Sequence, residues 1–96
     1  MKIAPRMVAA VPMDPYVVRV LFADGEVRDV DMEPMLDGPL FGPLRDPARF
    51  REVSVDPETG TIAWPGGIDL DPDVIYDPSL RKEPGGARIT TPARAA

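Results

Sequence analysis

Four groups of side chains in this chain have types and spacings that could do chemistry. Ser79-Leu80-Arg81-Lys82 has the S-x-x-K spacing in which a lysine activates a nucleophilic serine. That reaction needs the pair on a buried helix beside a preorganised oxyanion site, whereas this tetrad runs into Pro84-Gly85-Gly86, so chance spacing is the better explanation. Asp69, Asp71 and Asp73 alternate like the opening of a calcium loop, but the sixth and twelfth loop positions fall on Val74 and Leu80, where glycine and a bidentate glutamate are required. Helix capping, with negative charge beside the helix dipole, accounts for the same aspartates. Arg45, Arg49 and Arg51 form the third group, with Arg45 and Arg49 on one face if the segment is helical. They suit an anion patch, although pairing with Asp46 and Glu52 or plain solvation is the more ordinary fate of such residues. The fourth is Trp64, the only tryptophan, followed by Pro65-Gly66-Gly67. It can be a core anchor alternating with Ile62, or a partner-binding hot spot of the kind tryptophan often supplies.

Composition narrows the chemistry further. The chain has 96 residues with no cysteine and no histidine, which removes disulfides, thiolate and imidazole chemistry and the usual zinc and haem ligands. No cofactor, small-molecule ligand or catalytic group suggests itself, and the chain is expected not to be an enzyme. No apolar run approaches the roughly 20 residues of a spanning helix, and no basic segment leads into a signal-like apolar stretch, so the expectation is a cytoplasmic protein without membrane contact. Net charge is −5 and unevenly distributed. Residues 1–78 carry seven basic against fifteen acidic side chains, while residues 79–96 carry four basic against one acidic. An acidic body disfavours phosphate backbones, leaving nucleic acid a weak candidate partner.

The elements that must position these residues are short. Val17-Val-Arg-Val-Leu-Phe22 reads as a strand apolar on both faces and hence covered on both sides; Asp24-Gly25 then suits a tight primed turn into a second strand over 26–32. In that second strand Val27 falls on the face opposite Val30 and Met32, a slip that suggests a bulge. Met7 to Val11 is a third strand, ended by Pro12. It carries no charge to discourage edge pairing, unlike the charged 26–33 stretch, which suits solvent. Four prolines within 34–47 forbid a long helix and predict short proline-led turns that plug Leu36, Leu40, Phe41 and Leu44 into one end of the sheet. Asp46-Pro47 and Asp71-Pro72 each look like an N-cap followed by N1 of a short helix, running through Phe50 and Tyr76. Val53 and Val55, the turn Asp56-Pro57-Glu58-Thr59-Gly60, and Thr61 to Trp64 form a second hairpin, with Ile68 and Leu70 in a last short strand. The expected fold is α+β: a small, mostly antiparallel sheet of five or six short strands, with two clear hairpins, one or two short helices and a proline-rich loop. Residues 1–78 form the domain and 79–96 a disordered basic tail.

In order and spacing, Tyr16 to Phe22, Asp24 to Arg28, Leu44-Arg45-Asp46-Pro47, Phe50, Val55 to Ile62, Trp64-Pro65 and Asp69 to Asp73 resemble the bacterial family called domain of unknown function 2442. The resemblance covers about residues 3–76. It implies a small α+β fold found in bacteria and some archaea, sometimes fused to a helix-turn-helix that is missing here. It also implies genes beside a second small protein, and so an antitoxin-like or accessory role; it implies no activity. Together these readings point to a protein–protein interaction module whose exposed sheet edge and proline-rich loop engage another protein or a second copy. The candidate contacts are Phe41, Arg45, Arg49, Trp64 and Pro65. The alternative is a DNA-associated regulator or cofactor of a DNA-binding partner.

Overall fold

The β-branched run at Val17 becomes a strand, and the rest of the fold is arranged around its inward-facing side chains. In the computed structural model, residues 4–81 and 86–92 are described. Among them, strands β1 (Met7–Met13), β2 (Val17–Phe22), β3 (Val27–Asp31) and β7 (Arg88–Thr90) form one antiparallel sheet in the order β1-β2-β3-β7. Strands β4 (Ser54–Asp56), β5 (Thr61–Trp64) and β6 (Ile68–Asp69) form a second antiparallel sheet in that order. Helices α1 (Pro47–Phe50) and α2 (Pro72–Tyr76) are short, and 3-10 turns occupy Glu33–Met35, Gly42–Arg45 and Pro78–Leu80. The expected α+β class and both hairpins are present, with the strands divided between two sheets.

One device starts three of the five described helical segments. Aspartate before proline accepts a hydrogen bond from the second N–H of the turn: Asp46 from Ala48, Asp71 from Asp73, and Asp77 from Ser79. Proline at N1 needs no N–H partner and its fixed φ already suits a helix, which is why such short segments hold. The β2–β3 connection departs from the expected primed turn. Gly25 N–H donates to Phe22 C=O at 3.0 Å, Phe22 N–H donates to Glu26 C=O at 2.9 Å, and only Gly25 has positive φ, at 91°. This is a three-residue loop, a turn followed by a left-handed glycine, the next most common hairpin solution.

The two sheets share one core. Val18, Val20 and Phe22 of β2, Val30 of β3, and Met7 and Met32 face Leu36, Phe41, Leu44, Phe50, Val53, Ile62, Trp64 and Ile75, all buried. The sheets meet where Met7 N–H donates to Gly60 C=O at 2.8 Å. The proline-led turns plug Leu36, Phe41 and Leu44 inward as expected, whereas Leu40 stays 62% exposed.

Several expectations are corrected. Strand β2 is covered on one face only: Arg19 and Leu21 point outward and are exposed, because nothing described packs there. The β2–β3 register runs without a bulge; the irregularity lies in β1, between Met7 and Ala9. Strand β1 continues through Pro12 to Met13, which an edge position permits. The charged strand β3 is interior, flanked by β2 and β7, and its charges survive there because Asp29 and Asp31 meet arginines across the ladder. The segment read as a disordered tail supplies β7. Ala87 is buried, Ile89 packs against the core, and Arg88 pairs with Asp31 at 2.8 Å. A strand of three residues, set between Gly86 and Pro92, carries too little periodicity to announce itself.

Candidate interaction surfaces

The residues singled out by type divide into two sets. Trp64, Pro65 and Arg49 line one groove of about 240 Å³ with Pro43, Leu44, Glu52 and Gly66. Phe41 is buried in the core and does not line it. Arg45 also lies outside the groove: its guanidinium contacts Asp37, and its carbonyl accepts the Tyr16 hydroxyl at 2.6 Å. Trp64 is only 3% exposed; its indole N–H donates to Phe50 C=O at 2.9 Å and its ring lies 5.9 Å from that of Phe50. It therefore forms the floor of the groove and anchors the core. Of the three arginines near α1, Arg49 pairs with Asp46 at 3.9 Å as expected, whereas Arg45 pairs with Asp37 and Arg51 with the distant Asp14 at 3.7 Å. Exposed pairs at such distances contribute little.

The other chemical constellations resolve into local structure. Ser79 Oγ donates to Asp77 at 2.6 Å within a 3-10 turn, and Lys82 lies outside the described residues. Asp71 caps α2, and Asp73 accepts the Ala4 N–H at 3.1 Å. Among the described residues no group of three or more His, Cys, Asp or Glu is placed to hold a metal ion, and no helix is long and apolar enough to cross a membrane.

The edge at β1 is shorter than its uncharged sequence suggests. Gly60 occupies the Met7 end. Ala23 N–H donates to Arg6 C=O and Met32 N–H to Tyr16 C=O. The alternation of an antiparallel ladder then turns the backbone groups of Ala10 and Pro12 to the open side, and Pro12 has no N–H to offer there.

The outer face of the four-stranded sheet is the larger open surface. Cross-strand register places Ala9, Leu21 and Val27 in one row, Val11, Arg19, Asp29 and Thr90 in the next, and Met13, Val17, Asp31 and Arg88 in the third. Val11 is 53% and Leu21 37% exposed. Arg19 grips Asp29 with two hydrogen bonds, of 2.8 and 2.9 Å, and Arg88 holds Asp31. The Arg19 hydrogen bond and charge hold the Asp29 carboxyl below its ordinary range against the effect of burial. For Asp31, burial pushes upward, but hydrogen bonds from Arg88 and the Glu33 N–H, with the Arg88 charge, bring it down. Both aspartates are thus ionised at neutral pH, and the face carries two positive and two negative charges. Residue type alone does not single out these residues; the apolar Leu21 is their one signal in the sequence, and in an apolar run it points to burial rather than to an open face.

The chain is thus defined as a small two-sheet α+β domain with a shared core, one sheet face that the described residues leave open, and aspartate–proline capped turns. It belongs to the family described as a protein of unknown function, DUF2442, whose model matches residues 7–81. No curated protein and no solved structure was found to match it. Strand β7 lies beyond the matched segment.

Proposed function

We propose that this protein is a non-enzymatic interaction module of the bacterial cytoplasm that engages protein through the outer face of its four-stranded sheet. One observation carries the reading: β1, β2 and β3 keep Val11 and Leu21 exposed beside a neutral set of two arginines and two aspartates, on a chain of net charge −5. Val11, Leu21 and Val27 lie beside Arg19 and Asp29, whose charges are already paired within the chain, so a protein partner can cover this apolar area without burying an unpaired charge. A nucleic-acid surface would instead present cations free for phosphate, and both arginines here are held by aspartates.

The reading is tested by affinity capture from cells that express the protein naturally, comparing wild type with Leu21→Lys and with the groove variant Arg49→Ala. A partner retained by Arg49→Ala and lost by Leu21→Lys supports the outer face. Loss with Arg49→Ala alone transfers the function to the Trp64 groove and contradicts the reading. Salt-dependent binding to arbitrary DNA fragments contradicts it in favour of a DNA-associated regulator.

A further inference from the structure

The outer face has a symmetry that indicates what it fits. Its charges sit side by side in one row, Arg19 on β2 and Asp29 on β3, directly opposite each other in register. Consider a two-fold axis lying between two such faces, parallel to the strands and midway between β2 and β3. It places β2 of one copy over β3 of the other. Arg19 then faces Asp29 of the second copy, and Asp29 faces its Arg19. In the next row Leu21 faces Val27 of the second copy, and on the flank Val11 faces Thr90. Arg19 and Asp29 thus each meet their opposite, and Leu21 and Val27 meet each other, while in the third row Val17 faces Asp31 and Met13 faces Arg88 of the second copy, where the Asp31–Arg88 pair stays closed within each chain. Closed pairs of this isologous kind are the commonest oligomers, because one self-complementary patch suffices. Stacked sheets tolerate such a contact at their usual crossing angle of roughly 30°.

Charge supports the same occupant. Two copies of a chain with net charge −5 repel each other over most of their surface. On the outer face the repulsion is least, since Arg19 and Arg88 offset Asp29 and Asp31. Size sets the strength. Four strands about 4.8 Å apart, of seven, six, five and three residues at about 3.3 Å each, give a plan area of about 330 Å². That is about two-fifths of the roughly 800 Å² per partner in a standard stable interface, so the contact belongs with weak, reversible ones.

We infer that the protein forms a weak two-fold dimer of its own chain through the outer face of the β1-β2-β3-β7 sheet, with Arg19 and Asp29 paired across the interface and Leu21 packed on Val27. The inference rests on the proposed use of that face and commits it to one occupant, a second copy. The dissociation constant falls between about 10 µM and 1 mM.

Sedimentation equilibrium from about 20 µM to 2 mM tests it, with Arg19→Asp and Asp29→Arg measured separately and mixed, and folding of each checked by circular dichroism. Wild type is expected to dimerise. Each variant alone places like charges opposite each other twice and is expected to dimerise at least tenfold more weakly. The equimolar mixture is expected to recover association, because two carboxylates on the Arg19→Asp chain then face two guanidinium groups on the Asp29→Arg chain. A general loss of structure would not be repaired by mixing two damaged chains. Should either variant fail to fold, Leu21→Lys, which leaves the ion pairs intact, takes its place and is expected to be monomeric. A monomeric wild type at 2 mM, or variants that associate as well as wild type, overturns the inference. If wild type is monomeric while Leu21→Lys still loses a captured partner, the self-pairing is wrong and the interaction module stands. If neither a partner nor a dimer responds to Leu21→Lys, both are wrong.

Discussion

Gly60 is the position at which the meeting of the two sheets is most sharply testable. Its φ is +71°, and a Cβ built there would lie 2.9 Å from Cβ and 3.5 Å from Cα of Arg6. Neither atom can swing away. Arg6 C=O accepts from Ala23 at 2.9 Å, and the next residue, Met7, donates to Gly60 itself at 2.8 Å, so Arg6 is clamped between the sheets. Gly60→Ala therefore incurs two costs. Left-handed backbone for a residue with a Cβ costs about 1–2 kcal/mol. Relieving the contact by moving backbone adds about 1–3 kcal/mol, as overpacking does elsewhere. Gly25→Ala is the internal control, since its φ is +91° but a Cβ there meets nothing within 4 Å. It should lose only the backbone term, about 1–2 kcal/mol. Urea unfolding of both variants measures the difference, and Gly60→Ala is expected to be the less stable by at least about 1 kcal/mol. Equal losses would refute the close approach of Arg6 and with it the described junction between the sheets.

Four further outcomes follow from the same structure. Trp64→Phe removes the indole donor from the buried Phe50 carbonyl, which keeps the Val53 N–H at 3.3 Å, and is expected to cost about 0.5–1.5 kcal/mol for the lost hydrogen bond by urea unfolding, with the fold retained. Asp46→Ala and Asp71→Ala each remove an N-cap and are expected to cost about 0.5–2 kcal/mol in the same assay. Deleting residues 86–96 leaves the edge of β3 unpaired and removes Ala87 and Ile89 from the core, so the melting temperature is expected to fall by about 10 °C; an unchanged value would return the segment to a tail. Asp29 has its pKa lowered in the folded state, chiefly by the Arg19 hydrogen bond. Its contribution is therefore complete above the ordinary aspartate value of about 3.9 and is lost as pH falls through the lower folded value. Asp29→Asn is expected to melt below wild type at pH 7, with the gap closing below about pH 4; a gap independent of pH would contradict the role of the pair.

The parts of the fold legible in the sequence are those that local chemistry dictates. Asp46-Pro47 and Asp71-Pro72 specify caps because carboxylate and fixed φ act within three residues of each other. Gly60 marks its hairpin for the same local reason. What sequence could not reveal depends on contacts made far along the chain. Leu21 is as apolar as its inward neighbours, and only the cross-strand register to Ala9 and Val27 shows that it faces outward. Strand β3 reads as a solvent strand until Arg19 and Arg88 are placed beside its aspartates. Arg88 to Thr90 is too short for a pattern and becomes a strand only because β3 offers it an edge. At the candidate sites, Trp64, Pro65 and Arg49 do share a groove, but the tryptophan edge faces the Phe50 carbonyl, a contact fourteen residues distant that spacing alone does not reveal.

The central claim, contact through the outer face of the larger sheet, is tested most directly by dilution of the labelled protein followed by amide chemical shifts. Between about 1 mM and 20 µM the amides of Ala9, Val11, Arg19, Leu21, Val27 and Asp29 are expected to move together along one binding curve, while those of Leu44, Arg49, Glu52 and Gly66 stay fixed. Movement confined to the groove residues, or no movement at any concentration together with no partner lost on Leu21→Lys, would contradict it.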